Sequence, residues 1–293
     1  MKTLFITMGN ETWASSRYRC YWPAQHMQNT DVMQWKQGEA IPDDYDVYIW
    51  QKMADLAIVD KIWQDGKQQF WDLCDPVHWW QPEQARYIAD RCKEVVCSSQ
   101  ALADDFGDWY GARVSCIPDR FDLSHYTGGR VEHEHADPVR FIWYGIANNR
   151  IALLSALANL ERLSANGINM ALTICDDRPD YLITWTEAFP IYYTRWSLQT
   201  EIKTIAAHDI AILPDYPGPW GRVKSGNKRT TALLCGIPWH DGQDYADLYE
   251  LAVSAQLRTD RTNDGLERAM QNGSCNVRFS ASEWEALINE SGK

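Results

Sequence analysis

Ile210-Ala211-Ile212-Leu213-Pro214-Asp215-Tyr216-Pro217-Gly218-Pro219-Trp220-Gly221-Arg222-Val223-Lys224-Ser225-Gly226-Asn227-Lys228 is the stretch on which the reading of this chain turns. Its first four residues are an unbroken apolar run of strand type. A proline- and glycine-rich loop follows, and Lys224 to Lys228 open a helix that the pattern carries over 229–235, to Gly236. Strand, polar loop and helix start is the repeating unit of a parallel α/β sheet. A helix N-terminus leaves amide N–H groups unpaired and carries partial positive charge, so it draws anions. Lys224, Ser225, Gly226, Asn227 and Lys228 therefore form a candidate phosphate cradle. A capped helix with solvated lysines is the plainer alternative. The G-x-x-x-x-G-K-[ST] spacing of a P-loop is absent.

Working outward, the same alternation fills both halves of the chain. In the first half, strands are expected at 3–8, 47–50, 69–72, 95–98 and 113–117, with helices at 16–27, 54–63, 82–91 and 100–109. Residues 126–138 combine turn formers with a Glu/His-rich centre holding His133 and His135, and read as a connector. The pattern then restarts with strands at 140–144, 170–174, 190–193, 210–213 and 237–239, and helices at 151–163 and 198–207. Amphipathic pieces at 244–255, 260–271 and 281–290 read as helices packing on the outside. The expectation is an α/β protein of two Rossmann-like, doubly wound domains facing a cleft: residues 1–127, residues 138–280 and a closing helix in 281–293.

Composition narrows the class. A hydrophobic fraction of 45% with 23% charged residues is that of a folded protein, long enough for two domains. No run approaches the roughly 20 apolar residues that span a bilayer, and the N-terminus lacks a signal-peptide pattern. A soluble, cytoplasmic protein is expected. The eight cysteines form no C-x-x-C and read as reduced, mostly buried thiols. No histidine spacing suggests a metal site. A net charge of −12 counts against broad binding to a phosphate backbone. Of the 15 tryptophans, Trp143 and Trp239 fall in strands, whereas Trp79, Trp80 and Trp220 lie in loops where an exposed ring suits the flat face of a sugar or base.

Three regions resemble the GT-B glycosyltransferases, most closely the glycogen-synthase-related families 4 and 1. Gly9-Asn10-Glu11-Thr12-Trp13-Ala14-Ser15-Ser16-Arg17-Tyr18-Arg19 resembles the first strand–loop–helix with its glycine-containing acceptor-side loop. Val96-Cys97-Ser98-Ser99-Gln100-Ala101-Leu102, with Cys116-Ile117-Pro118-Asp119-Arg120-Phe121-Asp122, resembles the end of the N-terminal domain. Ala206-Ala207-His208-Asp209-Ile210-Ala211-Ile212-Leu213-Pro214, leading to Leu234-Cys235-Gly236-Ile237-Pro238, resembles the donor half. The resemblance implies transfer of a sugar from a nucleotide donor, a UDP-sugar above all, to a hydroxyl acceptor, with no metal and no cofactor. It departs from the family pattern in two places. The paired glutamates spaced by seven are missing, with Thr231 in the place of the second and Val223 near the first. The phosphate-binding Arg/Lys pair is matched only by Arg150, which leaves Lys224 or Lys228 to supply the other charge.

On the acceptor side, Asp72, Asp75 and His78 share one loop after a strand. A carboxylate or the imidazole there suits deprotonation of an acceptor hydroxyl; turn capping at Asp75-Pro76 is the structural alternative. Gly9, Asn10, Arg17 and Arg19 complete the acceptor-side set, with the arginines meeting an anion or making surface salt bridges. Thr231, Asn227 and Ser225 join the donor set. Two other functions stay open: a nucleotide-sugar epimerase, and a non-catalytic nucleotide-sugar or glycan-binding protein. The acceptor class is open as well, between a glycan, a small molecule and a hydroxymethylated DNA base; the acidic charge counts against the last.

Overall fold

The structure, a computed structural model, describes residues 1–112, 114–126, 137–180, 185–257 and 273–290. The centre of the expected connector and the expected helix at 260–271 lie outside the described residues. The chain divides into two compact units. The first comprises Met1–Asp122, Arg222–Ser225 and Gly273–Lys293; the second comprises Leu123–Gly221 and Gly226–Asn272.

The first unit holds a six-stranded parallel sheet in the order β2-β1-β3-β4-β5-β6. Its strands are β1 (Thr3–Thr7), β2 (Thr30–Gln34), β3 (Val47–Gln51), β4 (Gln68–Leu73), β5 (Glu94–Cys97) and β6 (Ser115–Cys116). Leu4, Ile6, Tyr48, Trp50, Trp71 and Leu73 bury one face against the helices Leu56–Gln64, Pro82–Ala89 and Gln100–Tyr110. Asp55 caps the first of these, its carboxylate accepting from the Ala57 and Ile58 amides at 3.0 and 3.1 Å. Ser99 caps the third by accepting from the Leu102 amide at 3.2 Å. The opposite face is covered in part by the closing helix, Val277–Glu290. That helix does more than pack on the outside: Trp284 is wholly buried, edge-on to Phe5 and Phe70 at 5.8 and 6.1 Å.

The second unit holds a five-stranded parallel sheet in the order β11-β10-β7-β8-β9. Its strands are β7 (Val139–Tyr144), β8 (Met170–Asp176), β9 (Ile191–Arg195), β10 (Ile210–Ile212) and β11 (Trp239–His240). Val139, Phe141, Trp143, Leu172 and Ile174 pack against Ala156, Leu160 and Leu163 of the helix Leu154–Ala165 and against Leu248 and Ala252 of the helix Tyr245–Leu257. All strand pairs in both sheets are parallel. The carboxyl ends of each sheet therefore share one edge, where ligands of open α/β sheets collect.

Three local features depart from the expected elements. β2 is an edge strand whose residues Thr30-Asp31-Val32-Met33-Gln34 are exposed or half-buried, so they lack the apolar run of the central strands. The proline- and glycine-rich loop contains a short helix, Pro219–Val223; a proline at the first helical position costs no hydrogen bond. The first helix is interrupted by a π-turn over Arg17–Tyr21, which buries Arg17, Tyr18, Arg19 and Cys20 together.

Candidate functional site

Gly9 begins the edge of the first sheet. A Cβ there would meet Ser16 Oγ at 2.4 Å and Trp13 at 2.8 Å, so the turn closes tightly onto the first helix only with glycine. Asn10 organises this turn by accepting from the Thr12 amide at 3.0 Å. Arg17, expected to meet an anion or make a surface bridge, is buried. It donates to Glu11 O and Thr12 O at 3.1 and 3.3 Å, with its guanidinium 5.0 Å from the Tyr18 ring centre.

Arg19 and Asp72 are buried against each other. The Arg19 fork donates to both Asp72 oxygens, through Nε at 3.1 and 3.0 Å, and also reaches Ile117 O and Asp119. Burial tends to lower the Arg19 pKa, but Asp72 outweighs it and raises the guanidinium above its ordinary value. Burial raises the Asp72 carboxyl, and Arg19 pulls it back only in part. Neither group reaches solvent, so Asp72 is a structural partner and a poor place for an acceptor hydroxyl.

Asp75 lies in the next turn and carries two cations. Lys52 Nζ stands 2.5 Å from its Oδ2, and Lys224 Nζ bonds Oδ1. Burial would raise the carboxyl, yet the two ammoniums prevail and hold it below the ordinary carboxylate range. A carboxylate so held is ionised but weakly basic, far from the neutral pKa that suits a general base. His78 faces elsewhere. Its Nε2 pairs with Asp105 Oδ2 at 2.8 Å, and its ring packs on Phe106 and Trp109 at 4.9 and 5.1 Å. Burial lowers its pKa against the pull of Asp105. It is a core histidine bracing the Gln100–Tyr110 helix.

The donor loop divides differently from its sequence. Arg222–Ser225 belongs to the first unit. Val223 joins that unit's core, its carbonyl accepts from Ser99 Oγ at 2.7 Å, and Ser225 Oγ donates to Asp119 Oδ2 at 2.5 Å. Lys224 and Ser225 are held within the first unit by hydrogen bonds to Asp75 and Asp119, whereas Asn227 and Lys228 belong to the second.

In the second unit, Lys228 and Asn227 lie in the first turn of the helix Asn227–Leu234, whose N-cap residue, Gly226, has no side chain to satisfy the first amides. Tyr144 Oη donates to Lys228 O at 2.5 Å, tying this turn to the end of β7. Lys228 Nζ lies 5.1 Å from the Trp143 ring centre, and a Cβ on Gly145 would stand 2.7 Å from it. Gly145 thus leaves room for an ammonium at the strand end, beside the start of a helix that no side chain caps. Thr231 is buried further along the helix. Arg150, read as a phosphate contact or a solvated side chain, is buried and paired, not solvated. Its Nε lies 2.5 Å from Asp176 Oδ2 and its Nη2 donates to Asp176 Oδ1 at 2.9 Å and Arg178 O at 2.6 Å. The bond to Asp176 raises its pKa. An open pocket of about 660 Å³ follows the ends of β7, β10 and β11, with Ile151, Leu154 and Tyr216 on its walls and Asp215 and Asp241 among its polar groups.

No protein-family model matches the chain, and no curated protein matches it by sequence. Solved structures do. HepE of Anabaena, in complex with UDP-glucose, is 14% identical over 99% of this chain and 100% of that one, with a TM-score of 0.67. An α-glucosyltransferase in complex with UDP and a 13-mer DNA containing an HMU base is 10% identical over 99% and 100%, with a TM-score of 0.65. A putative UDP-N-acetylglucosamine 2-epimerase from Listeria monocytogenes is 8% identical over 99% and 96%, with a TM-score of 0.58. The fold is GT-B. Identities this low carry the architecture and leave the residues to be argued from their own geometry.

Within this GT-B chain, Lys52 is the residue that sequence reasoning passed over. Its position just after β3 was its only signal, and the carboxylate that it shares with Lys224 lies 23 positions away. Among the described residues no His/Cys/Asp/Glu group is arranged to hold a metal ion, and no helix is long and apolar enough to cross a membrane.

Proposed function

We propose that the protein is a glycosyltransferase that moves a sugar from a nucleotide-diphosphate donor, of the UDP-sugar type, to a hydroxyl acceptor. The observation that carries this reading is the ammonium of Lys228 beside Gly145 and the N-terminus of the helix Asn227–Leu234, at the carboxyl edge of the second sheet. Breaking the bond between the anomeric carbon and the diphosphate leaves negative charge on the departing oxygen. A fixed cation and helix N–H groups stabilise that charge without reorganising. Arg150 acts indirectly, holding Asp176 and the turn after β8. Asp75, weakly basic between two lysines, is assigned no proton transfer.

A donor screen with UDP-, GDP-, ADP- and TDP-sugars, read by nucleoside diphosphate release with and without sugar, glycan and hydroxymethylated-DNA acceptors, tests the proposal. Acceptor-dependent release with a sugar-bearing product supports it. Epimerised donor sugar, or tight UDP binding with no turnover against any acceptor, would assign the chain to one of the other two functions.

A further inference from the structure

Lys52 has no part in the reading above, and its backbone marks it out. Its φ of 64° lies in the left-handed region, which glycine and asparagine enter easily and a long side chain does not. Strain of this kind persists where the surroundings enforce it, and it gathers at functional sites. Here the Lys52 amide donates to Asp72 O at 2.9 Å, and its carbonyl accepts from Trp71 Nε1 at 2.9 Å. The clamped backbone delivers the ammonium to Asp75 at the carboxyl edge of β3 and β4.

The charges there are unevenly placed. Two ammoniums share the single carboxylate of Asp75. The neighbouring acids have their own partners: Asp72 is gripped by Arg19, while Asp119 takes Ser225 and a long contact from Arg19. Counted as formal charges, these six groups sum to zero. The most buried members, however, are Arg19, Asp72, Asp119 and Asp75, at 1%, 0%, 6% and 13% side-chain exposure, whereas Lys52 and Lys224 stand at 29% and 40%. The face turned to solvent is cationic, in a chain whose net charge is −12. Each lysine can meet a phosphate oxygen as a point charge with three donors and needs no fixed planar partner.

We infer that Lys52 and Lys224 form a phosphate-binding pair with Asp75 as its resident counter-ion, and that it receives a phosphate carried by the acceptor. That the phosphate belongs to an acceptor rests on the glycosyl-transfer reading; the anion site itself does not. A phosphomonoester on a sugar and a phosphodiester in a nucleic acid present the same chemistry, so both are needed as probes.

The experiment is calorimetric titration of the full chain with glucose 6-phosphate, with a twelve-residue oligothymidylate and with glucose as the uncharged control. One phosphate probe is expected to bind at least about tenfold more tightly than glucose, and which one it is identifies the source of the phosphate. Lys52→Gly, which suits the left-handed backbone and whose fold is checked by thermal unfolding, should weaken that probe about tenfold or more. Asp75→Asn should tighten it several-fold by freeing both ammoniums. Neither probe exceeding glucose, unchanged binding in Lys52→Gly, or weaker binding in Asp75→Asn would each overturn the proposal. UDP titrated into the parent chain is scored separately. Loss of that binding with phosphate binding intact would remove the donor reading and leave the anion site standing.

Discussion

The two sheet edges of this protein use the same brace and then diverge. In the first unit, Arg19 in the first helix after β1 forks the buried Asp72 of β4. In the second, Arg150 on the turn after β7 forks the buried Asp176 of β8. Each arginine joins the opening helical turn of its unit to the carboxyl end of a further strand, with its charge taken up inside. What differs is the lysine chemistry beside the brace. The second edge places Lys228 against a glycine strand end and the start of a helix that no side chain caps. The first places Lys52 and Lys224 on either side of one carboxylate. An arginine near a strand end can therefore be scaffold in both halves of such a chain.

Breaking the braces should have the largest effect. Arg19→Met and Arg150→Met each leave a carboxylate buried without its partner, which costs about 3–5 kcal/mol. With two units, a single unfolding midpoint is a poor readout, so amide exchange should be followed separately in β4 and β8. Arg19→Met should deprotect β4 and leave β8 protected, and Arg150→Met the reverse. Equal loss in both sheets would end the comparison of independent braces.

Next comes the lysine of the second edge. Lys228→Ala should weaken UDP binding by about 1.5–3 kcal/mol, the range of a charge-assisted hydrogen bond, and weaken uridine binding far less. Gly145→Ala should follow in the same direction with a smaller effect, about 1 kcal/mol, because the new methyl displaces the flexible end of Lys228 rather than backbone. Calorimetry on both variants checks this order.

The smallest effects concern pH. Asp75 titrates lower in the folded chain than unfolded, so its pairing contributes stability above the ordinary carboxylate pKa. That contribution is lost as pH falls below about 4, and Asp75→Asn should flatten this acid limb. His78 is also depressed, by burial, so the unfolded chain takes up its proton first. Stability should fall as pH drops below about 6.5, and His78→Phe should remove that slope in urea titrations.

Much of the architecture is legible in the residues. Phe141-Ile142-Trp143-Tyr144 and Val95-Val96-Cys97 are central strands whose apolar runs announce them, and Asp55 and Ser99 mark helix starts by their capping chemistry. β2 escapes because an edge strand needs fewer apolar residues. The site is harder. The Arg19–Asp72 pair spans 53 positions, so nothing local distinguishes an inward-facing arginine from one that awaits a ligand. Val223 is an unremarkable valine in a glycine-rich loop until packing draws it, with Lys224, into the first unit. The left-handed backbone at Lys52 carries no signature in its own residue type.

Amide chemical-shift mapping of the full chain with UDP and with uridine reads out whether the diphosphate sits at Lys228. UDP is expected to shift Gly145, Ala147, Asn227 and Lys228 together, at the edge of the second sheet, and uridine to move them much less because it lacks the phosphates. No shift at these amides with UDP, or equal shifts with uridine, would contradict that placement.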